Sequence, residues 1–112
     1  MIKGMHAMFY TTKAEEARAF LRDKLGFPAH DIGEGWLIMD TPEAEIGCHP
    51  TEKPFHELSF YCDDVEQTRA QLEKKGVKFT TPIQDFGWGL ACSFQFPGGP
   101  DVGLYQPKYK KG

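Results

Sequence analysis

An internal repeat constrains this chain more than any other feature. His6-Ala7-Met8-Phe9-Tyr10-Thr11 and Glu57-Leu58-Ser59-Phe60-Tyr61-Cys62 lie 51 residues apart (6 to 57) and read alike. Each is a short aromatic and apolar run with two-residue alternation, the pattern of a β-strand buried on one side. Side chains alternate across a strand. One face therefore carries Ala7, Phe9 and Thr11, matched by Leu58, Phe60 and Cys62, and suits packing against a helix. The other carries His6, Met8 and Tyr10, matched by Glu57, Ser59 and Tyr61. A side chain able to bind a metal opens this mixed face in both copies.

The helix after each strand repeats as well. Thr12 with Glu15 forms a capping-box pattern, which satisfies free N–H groups at a helix start. The spacing of Ala17, Phe20, Leu21 and Leu25 then predicts one apolar stripe on a helix over 13–25, ended by Gly26. In the second copy Asp63 with Glu66 is the cap signal, Val65, Thr68 and Leu72 share a face, and Gly76 ends the helix, 50 residues after its counterpart (26 to 76). Three short strands are predicted after the first helix, near 27–32, over 35–40 and over 45–49, with a polar linker at 51–54. Gly87-Trp88 answers Gly35-Trp36, and Val102-Gly103-Leu104 answers Ile46-Gly47-Cys48.

The reading is an α+β chain built as a tandem duplication of βαβββ, with modules at 1–50 and 55–107 inside one domain of 1–112. Each module is a small curved mixed sheet backed by one helix. A ferredoxin-like sandwich is the alternative, and three strands after each helix argue against it. Neither module can cover its second sheet face alone, so two must meet, within one chain or between two. The mixed faces of the first and fifth strands then line a cup.

The bulk numbers exclude several classes. A net charge of −3 and a pI near 5.8 give no electrostatic footprint for nucleic acid. Lys108, Lys110 and Lys111 read as a solvated tail. No run approaches the roughly 18 apolar residues of a membrane span, and no charged lead precedes an apolar stretch as in a signal peptide. Cys48, Cys62 and Cys92 are odd in number and show no CxxC spacing, which fits a reducing, cytoplasmic setting.

Several stretches together resemble one family. They are Met1 to His6, Ala19-Phe20-Leu21-Arg22-Asp23-Lys24-Leu25-Gly26-Phe27, Leu58 to Val65, Gly76-Val77-Lys78-Phe79, Gly87-Trp88-Gly89 and Gly103-Leu104-Tyr105-Gln106-Pro107. Their layout is similar to the vicinal oxygen chelate superfamily of glyoxalase I, extradiol dioxygenases, fosfomycin-resistance enzymes and bleomycin-binding proteins. The resemblance implies the paired-module fold, a small-molecule ligand and, for a chain this short, a homodimer pairing modules across two chains. It does not settle the reaction, because that scaffold hosts several chemistries as well as pure binders.

Members that use a divalent metal take ligands from the first and fifth strands and from the ends of the fourth or eighth. His6 matches the first-strand position and Glu57 the fifth, with His56 set aside on side-chain parity. The carboxylate positions of the eighth and fourth strands are Gly103 and Gly47. His49, two residues beyond Gly47, could complete a set of two imidazoles and one carboxylate, the ligand type of open-sided iron(II) sites. On that reading His6, His49 and Glu57 hold Fe, Mn, Ni or Zn, and the chain is a lyase, isomerase or dioxygenase. Otherwise His49 is a strand-end residue in solvent.

Other residues carry their own expectations. Glu57 in a partly apolar cup could act as a general acid or base without metal, or could form an ion pair. Tyr10, Tyr61 and Tyr105 should face the cup, beside Ser59, and could bond or stack on a planar ligand. Trp88, equivalent to Trp36, is either a structural peg or a ligand stacker. Three functions therefore stand: a metal-dependent enzyme, a metal-free protein that sequesters an aromatic compound, or a metal-free enzyme using Glu57.

Overall fold

A computed structural model describes residues 6–41, 43–44 and 50–109. Its elements in order are α1 (Ala14–Ala19, continued by a wider π-turn over Phe20–Lys24), β1 (Ala29–Asp31), β2 (Leu37–Met39), β3 (Ser59–Tyr61), α2 (Val65–Lys74), β4 (Gln84–Asp85), β5 (Gly89–Phe94) and β6 (Val102–Pro107). This is the expected α+β order. The strands expected at 27–32 and 35–40 are β1 and β2, an antiparallel pair. The strand expected at 45–49 lies outside the described residues. Residues 6–11 belong to no assigned strand, and the expected parity holds from Met8 on: Phe9 packs on Phe96 with ring centroids 4.4 Å apart, while Met8 and Tyr10 are exposed; Ala7, expected on the packed face, is exposed as well.

The second half forms a four-stranded sheet ordered β3-β6-β5-β4, in which β3 and β6 run parallel and the other pairs antiparallel. Register sorts its side chains. Cys92 and Phe94 of β5 oppose Leu104 and Val102 of β6, and all four are buried. Val65, Leu72 and Val77 cover them from α2 and the turn after it, and Ala17 from α1. Phe94 is fully buried between Phe20 of α1, at 6.1 Å, and Phe79, at 5.5 Å. The apolar stripe of α1 thus reaches the core of the second half, and burying it there is a driving term of order 25 cal/mol per Å² of apolar surface.

The helix starts depart from expectation in two places. Asp64, not Asp63, caps α2, its Oδ1 accepting from the Gln67 N–H at 3.0 Å. The Thr12–Glu15 capping box does not form: Lys13 is the N-cap residue of α1, and no side chain caps the helix. The hydroxyls that would cap it are engaged across the chain. Thr11 Oγ1 donates to the Pro97 carbonyl at 2.6 Å and accepts from the Lys13 N–H at 3.1 Å, and the Thr12 N–H donates to the Gly98 carbonyl at 3.2 Å. Gly98, at φ +68°, leaves no room for a side chain, since a Cβ there would lie 2.7 Å from the Lys13 nitrogen. This joint pins the start of the first half to the β5–β6 turn. A second tie runs from the Lys24 ammonium to the Lys75 carbonyl at the end of α2.

Candidate functional site

With Val102, Leu104, Cys92 and Phe94 committed to the core, alternation sends the residues between them to the opposite face. Across β3, β6 and β5 the rows there are Ser59, Gly103 and Ser93, then Tyr61, Tyr105 and Ala91. Gly89 pairs with Pro107 one step further. Two glycines on this face let neighbouring side chains approach the backbone closely. A Cβ at Gly89 would lie 2.5 Å from Cε2 of Tyr105, so the ring rests directly on backbone.

Aromatic rings border that face in an unbroken row. Phe86 and Trp88 stack with centroids 5.6 Å apart and planes 20° apart. Trp88 meets Tyr105 edge-on at 5.3 Å, and Tyr105 meets Tyr109 at 6.4 Å, its hydroxyl donating to the Tyr109 hydroxyl at 2.5 Å. Phe86, Trp88 and Tyr109 are each about half exposed, at 50%, 54% and 47%. Stacked and edge-on pairs of this kind add order 1 kcal/mol each beyond the area they bury. Exposed rings nevertheless leave apolar surface in water, which is a cost unless something covers it.

Polar ties fix the row. The Asp85 Oδ1 accepts from the Gly87 N–H at 2.8 Å, and its Oδ2 receives the Lys108 ammonium at 2.5 Å. The Lys108 N–H in turn donates to the Trp88 carbonyl at 2.9 Å. The hydrogen bond from Lys108, with that from Gly87 behind it, holds the Asp85 carboxyl below its ordinary range. The hairpin tip and the end of β6 are therefore stapled with Trp88 and Tyr105 in contact.

Of the ligand-facing residues expected from sequence, Ser59, Tyr61, Trp88 and Tyr105 fall on this face. Tyr10 does not join them; it is 89% exposed. Phe86 and Tyr109 were not anticipated. Tyr109 continues the parity of Tyr105 and Pro107, and Asp85-Phe86-Gly87-Trp88 carries a turn signal with two rings, so both were within reach of the sequence.

The expected metal ligands fare differently. His6 and Glu57 are both exposed, and His49 lies outside the described residues. Among the described residues no three His, Cys, Asp or Glu side chains are grouped to hold a metal ion. The eighth-strand carboxylate position, Gly103, is paired directly with Ser59, whose Oγ and Cβ occupy the space a Cβ at 103 would need. The described residues thus do not supply the donor set of a catalytic divalent-metal site. His56 is exposed, and His30 sits 3.4 Å from Asp40 at the surface. Burial pushes the thiols of Cys62 and Cys92 up, so neither is a ready nucleophile.

The glyoxalase/bleomycin resistance protein/dioxygenase superfamily model matches residues 5–102. Among solved structures the chain is similar to TnmS3, an antibiotic binding protein from Streptomyces sp. CB03234, at 25% identity and a TM-score of 0.68, covering 96% of this chain and 100% of that one. It is also similar to a glyoxalase/bleomycin resistance protein from the same Streptomyces, at 27% identity and a TM-score of 0.62 over 88% of this chain and 95% of the other. Lactoylglutathione lyase from Agrobacterium tumefaciens shares the fold, at 19% identity and a TM-score of 0.59, over 93% and 96% of the two chains. No curated protein matches the chain. Matched over most of its length, the chain belongs to the glyoxalase/bleomycin resistance protein/dioxygenase superfamily.

Proposed function

We propose that this protein is a metal-free binder that sequesters a planar, oxygen-bearing aromatic small molecule on the open face of the β3-β6-β5-β4 sheet. The observation that carries the reading is the continuous, half-exposed row Phe86, Trp88, Tyr105 and Tyr109 at the edge of the sheet. A flat ring can stack against the exposed indole and phenol there. Gly103, where the metal-using relatives have a carboxylate, leaves the middle of that face without a charge. The antibiotic binding described for TnmS3 is consistent with such a role.

In this reading a second copy closes the cup. Ile32, Trp36 and Phe55, at 62%, 50% and 69% exposed, are apolar surface that a second copy would cover. The radius of gyration of 14.7 Å also exceeds the roughly 13 Å of a compact chain of this length.

The test is calorimetric titration with planar, oxygen-bearing probes such as an N-(hydroxyalkyl)-1,8-naphthalimide. Saturable binding is expected, unchanged by exhaustive chelation and weakened on the order of ten-fold by Trp88→Ala, the worth of one aromatic contact of ~1.4 kcal/mol. Binding that disappears with chelation, or that is indifferent to Trp88→Ala, overturns the proposal. So does the failure of every planar probe to bind.

A further inference from the structure

The rings of the row come from two separate segments. Phe86 and Trp88 sit on the turn between β4 and β5, whereas Tyr105 lies on β6 and Tyr109 just beyond it. A planar ligand that touches both pairs needs them held in one relation. The β5–β6 ladder ends at the pair Gly89–Pro107, and Lys108 carries it one step further. Its N–H donates to the Trp88 carbonyl at 2.9 Å, and its ammonium reaches Asp85 Oδ2 at 2.5 Å.

The sequence reads Lys108 as part of a solvated tail; the structure engages it at both ends. Its partner uses two oxygens for two tasks. Asp85 Oδ1 accepts from the Gly87 N–H at 2.8 Å and so shapes the turn from within. Oδ2 takes the ammonium, which ties that turn to the end of β6. The turn has a backbone bond of its own, from the Phe86 N–H to the Gly89 carbonyl at 2.9 Å, and Gly87 takes φ +87°. Glycine lets such a turn form without fixing how it leans. Phe86 and Trp88 are half exposed, so burial alone holds them loosely. The side chains of Lys108 and Asp85 are 42% and 56% exposed, and a pair that open adds little to global stability. Holding a binding surface in its bound arrangement is a different contribution, because it lowers the ordering cost met on binding.

We infer that Lys108 is a positioning residue for the aromatic face: its ion pair with Asp85 latches the Phe86–Trp88 turn against Tyr105 and Tyr109, so that a ligand meets a ready-made row. The inference rests on the proposed planar-ligand reading and adds what sets the affinity of that face. Latch and ligand are then coupled, and opening the ion pair weakens binding even of a ligand that carries no charge.

Calorimetric titration with the uncharged N-(hydroxyalkyl)-1,8-naphthalimide tests it on the unaltered protein, Lys108→Met, Asp85→Asn and the double variant. Methionine keeps much of the apolar stem of lysine, and asparagine keeps an oxygen for the Gly87 N–H, so each change removes the ion pair and little else. Each single variant is expected to bind about two- to five-fold more weakly, the scale of an exposed ion pair, and the double variant no more weakly than either. In salt of about 1 M, where the Debye length is about 3 Å, the ratio between the unaltered protein and Lys108→Met should shrink toward one. A purely structural role would not make the affinity for a neutral probe follow salt in this way. Thr11→Val, at the opposite end of β5 and β6, should bind as the unaltered protein does. Four results overturn the inference and leave the planar-ligand reading standing: full affinity in Lys108→Met, losses that add in the double variant, a ratio indifferent to salt, or equal weakening by Thr11→Val. Failure of the probe to bind the unaltered protein overturns the two together.

Discussion

A methyl group added at position 103 tests the geometry on which the functional reading depends. Gly103 of β6 and Ser59 of β3 are register partners in a parallel pair. In Gly103→Ala the new Cβ collides with Ser59 Oγ and sits 3.1 Å from Ser59 Cβ. Rotation about χ1 can carry the Oγ away, because Ser59 is exposed. It cannot move the Cβ, which is tighter than ordinary carbon contact by about 0.5 Å, so the strands must part slightly. Overpacking of this size costs about 1–2 kcal/mol, toward the low end of the usual range. For a chain of this length that is a fall in Tm of roughly 4–10 °C. Ser59→Gly removes both offending atoms, at its own cost of up to ~1 kcal/mol for a glycine in a strand. The two changes should therefore be non-additive, the double variant recovering most of the penalty of Gly103→Ala, with a coupling of about 1–2 kcal/mol. Urea denaturation of the four proteins measures it. A Gly103→Ala protein as stable as the original, or a double variant whose losses simply add, would mean that the two strands are not in this register. Crowding by Ser59 would then no longer exclude a carboxylate at 103.

Two further outcomes follow from the ties around this sheet. Thr11→Val removes the hydroxyl that bridges Pro97 and Lys13, and should cost about 1 kcal/mol of unfolding free energy, with faster hydrogen exchange at the first turn of α1; exchange unchanged there would deny the joint its role. Asp85 has its folded pKa depressed, chiefly by the hydrogen bond from Lys108, so its contribution is present above the unfolded pKa and is lost as pH falls through the folded one. Its carboxyl resonance in an NMR titration should have a midpoint below the ordinary aspartate value, and Lys108→Met should raise that midpoint; an unmoved midpoint rules the staple out.

The repeat was legible because it is written in residue types that act locally. Alternation alone assigned Leu58, Phe60 and Cys62 to the core side and Ser59 and Tyr61 to the other, and the structure keeps that division. Gly26 and Gly76 end the helices at positive φ, as their places in sequence implied. The capping box failed for a tertiary reason: Thr11 and Thr12 have partners at Pro97 and Gly98, some 86 residues away, which no local pattern reveals. Gln106 is another such case: it sits within a family stretch that gives it no partner, and its Oε1 satisfies the first N–H of α2 from the far end of the chain. The opening where β3 and β6 end is likewise lined by Glu43 from one half and Asp63 from the other, which depends on how the halves dock.

The site was only half legible, because what shapes it is missing side chain. Motif reasoning looks for groups that do chemistry, and at position 103 it finds a gap where related metalloproteins have a ligand. Structure gives the gap a positive meaning. Gly103 is small because Ser59 stands against it, and Gly89 is small because Tyr105 lies on it. Restoring a side chain at 89 would lift Tyr105, and with it the contacts to Trp88 and Tyr109 that make the row continuous. The two glycines therefore serve one arrangement: close-paired strands that let Tyr105 lie flat and hold its neighbours in a row. On the proposed reading, a carboxylate added at 103 would not return this chain to metal chemistry. It would part β3 from β6 and place a charge where a planar ligand must lie, so binding would be lost before any metal was gained.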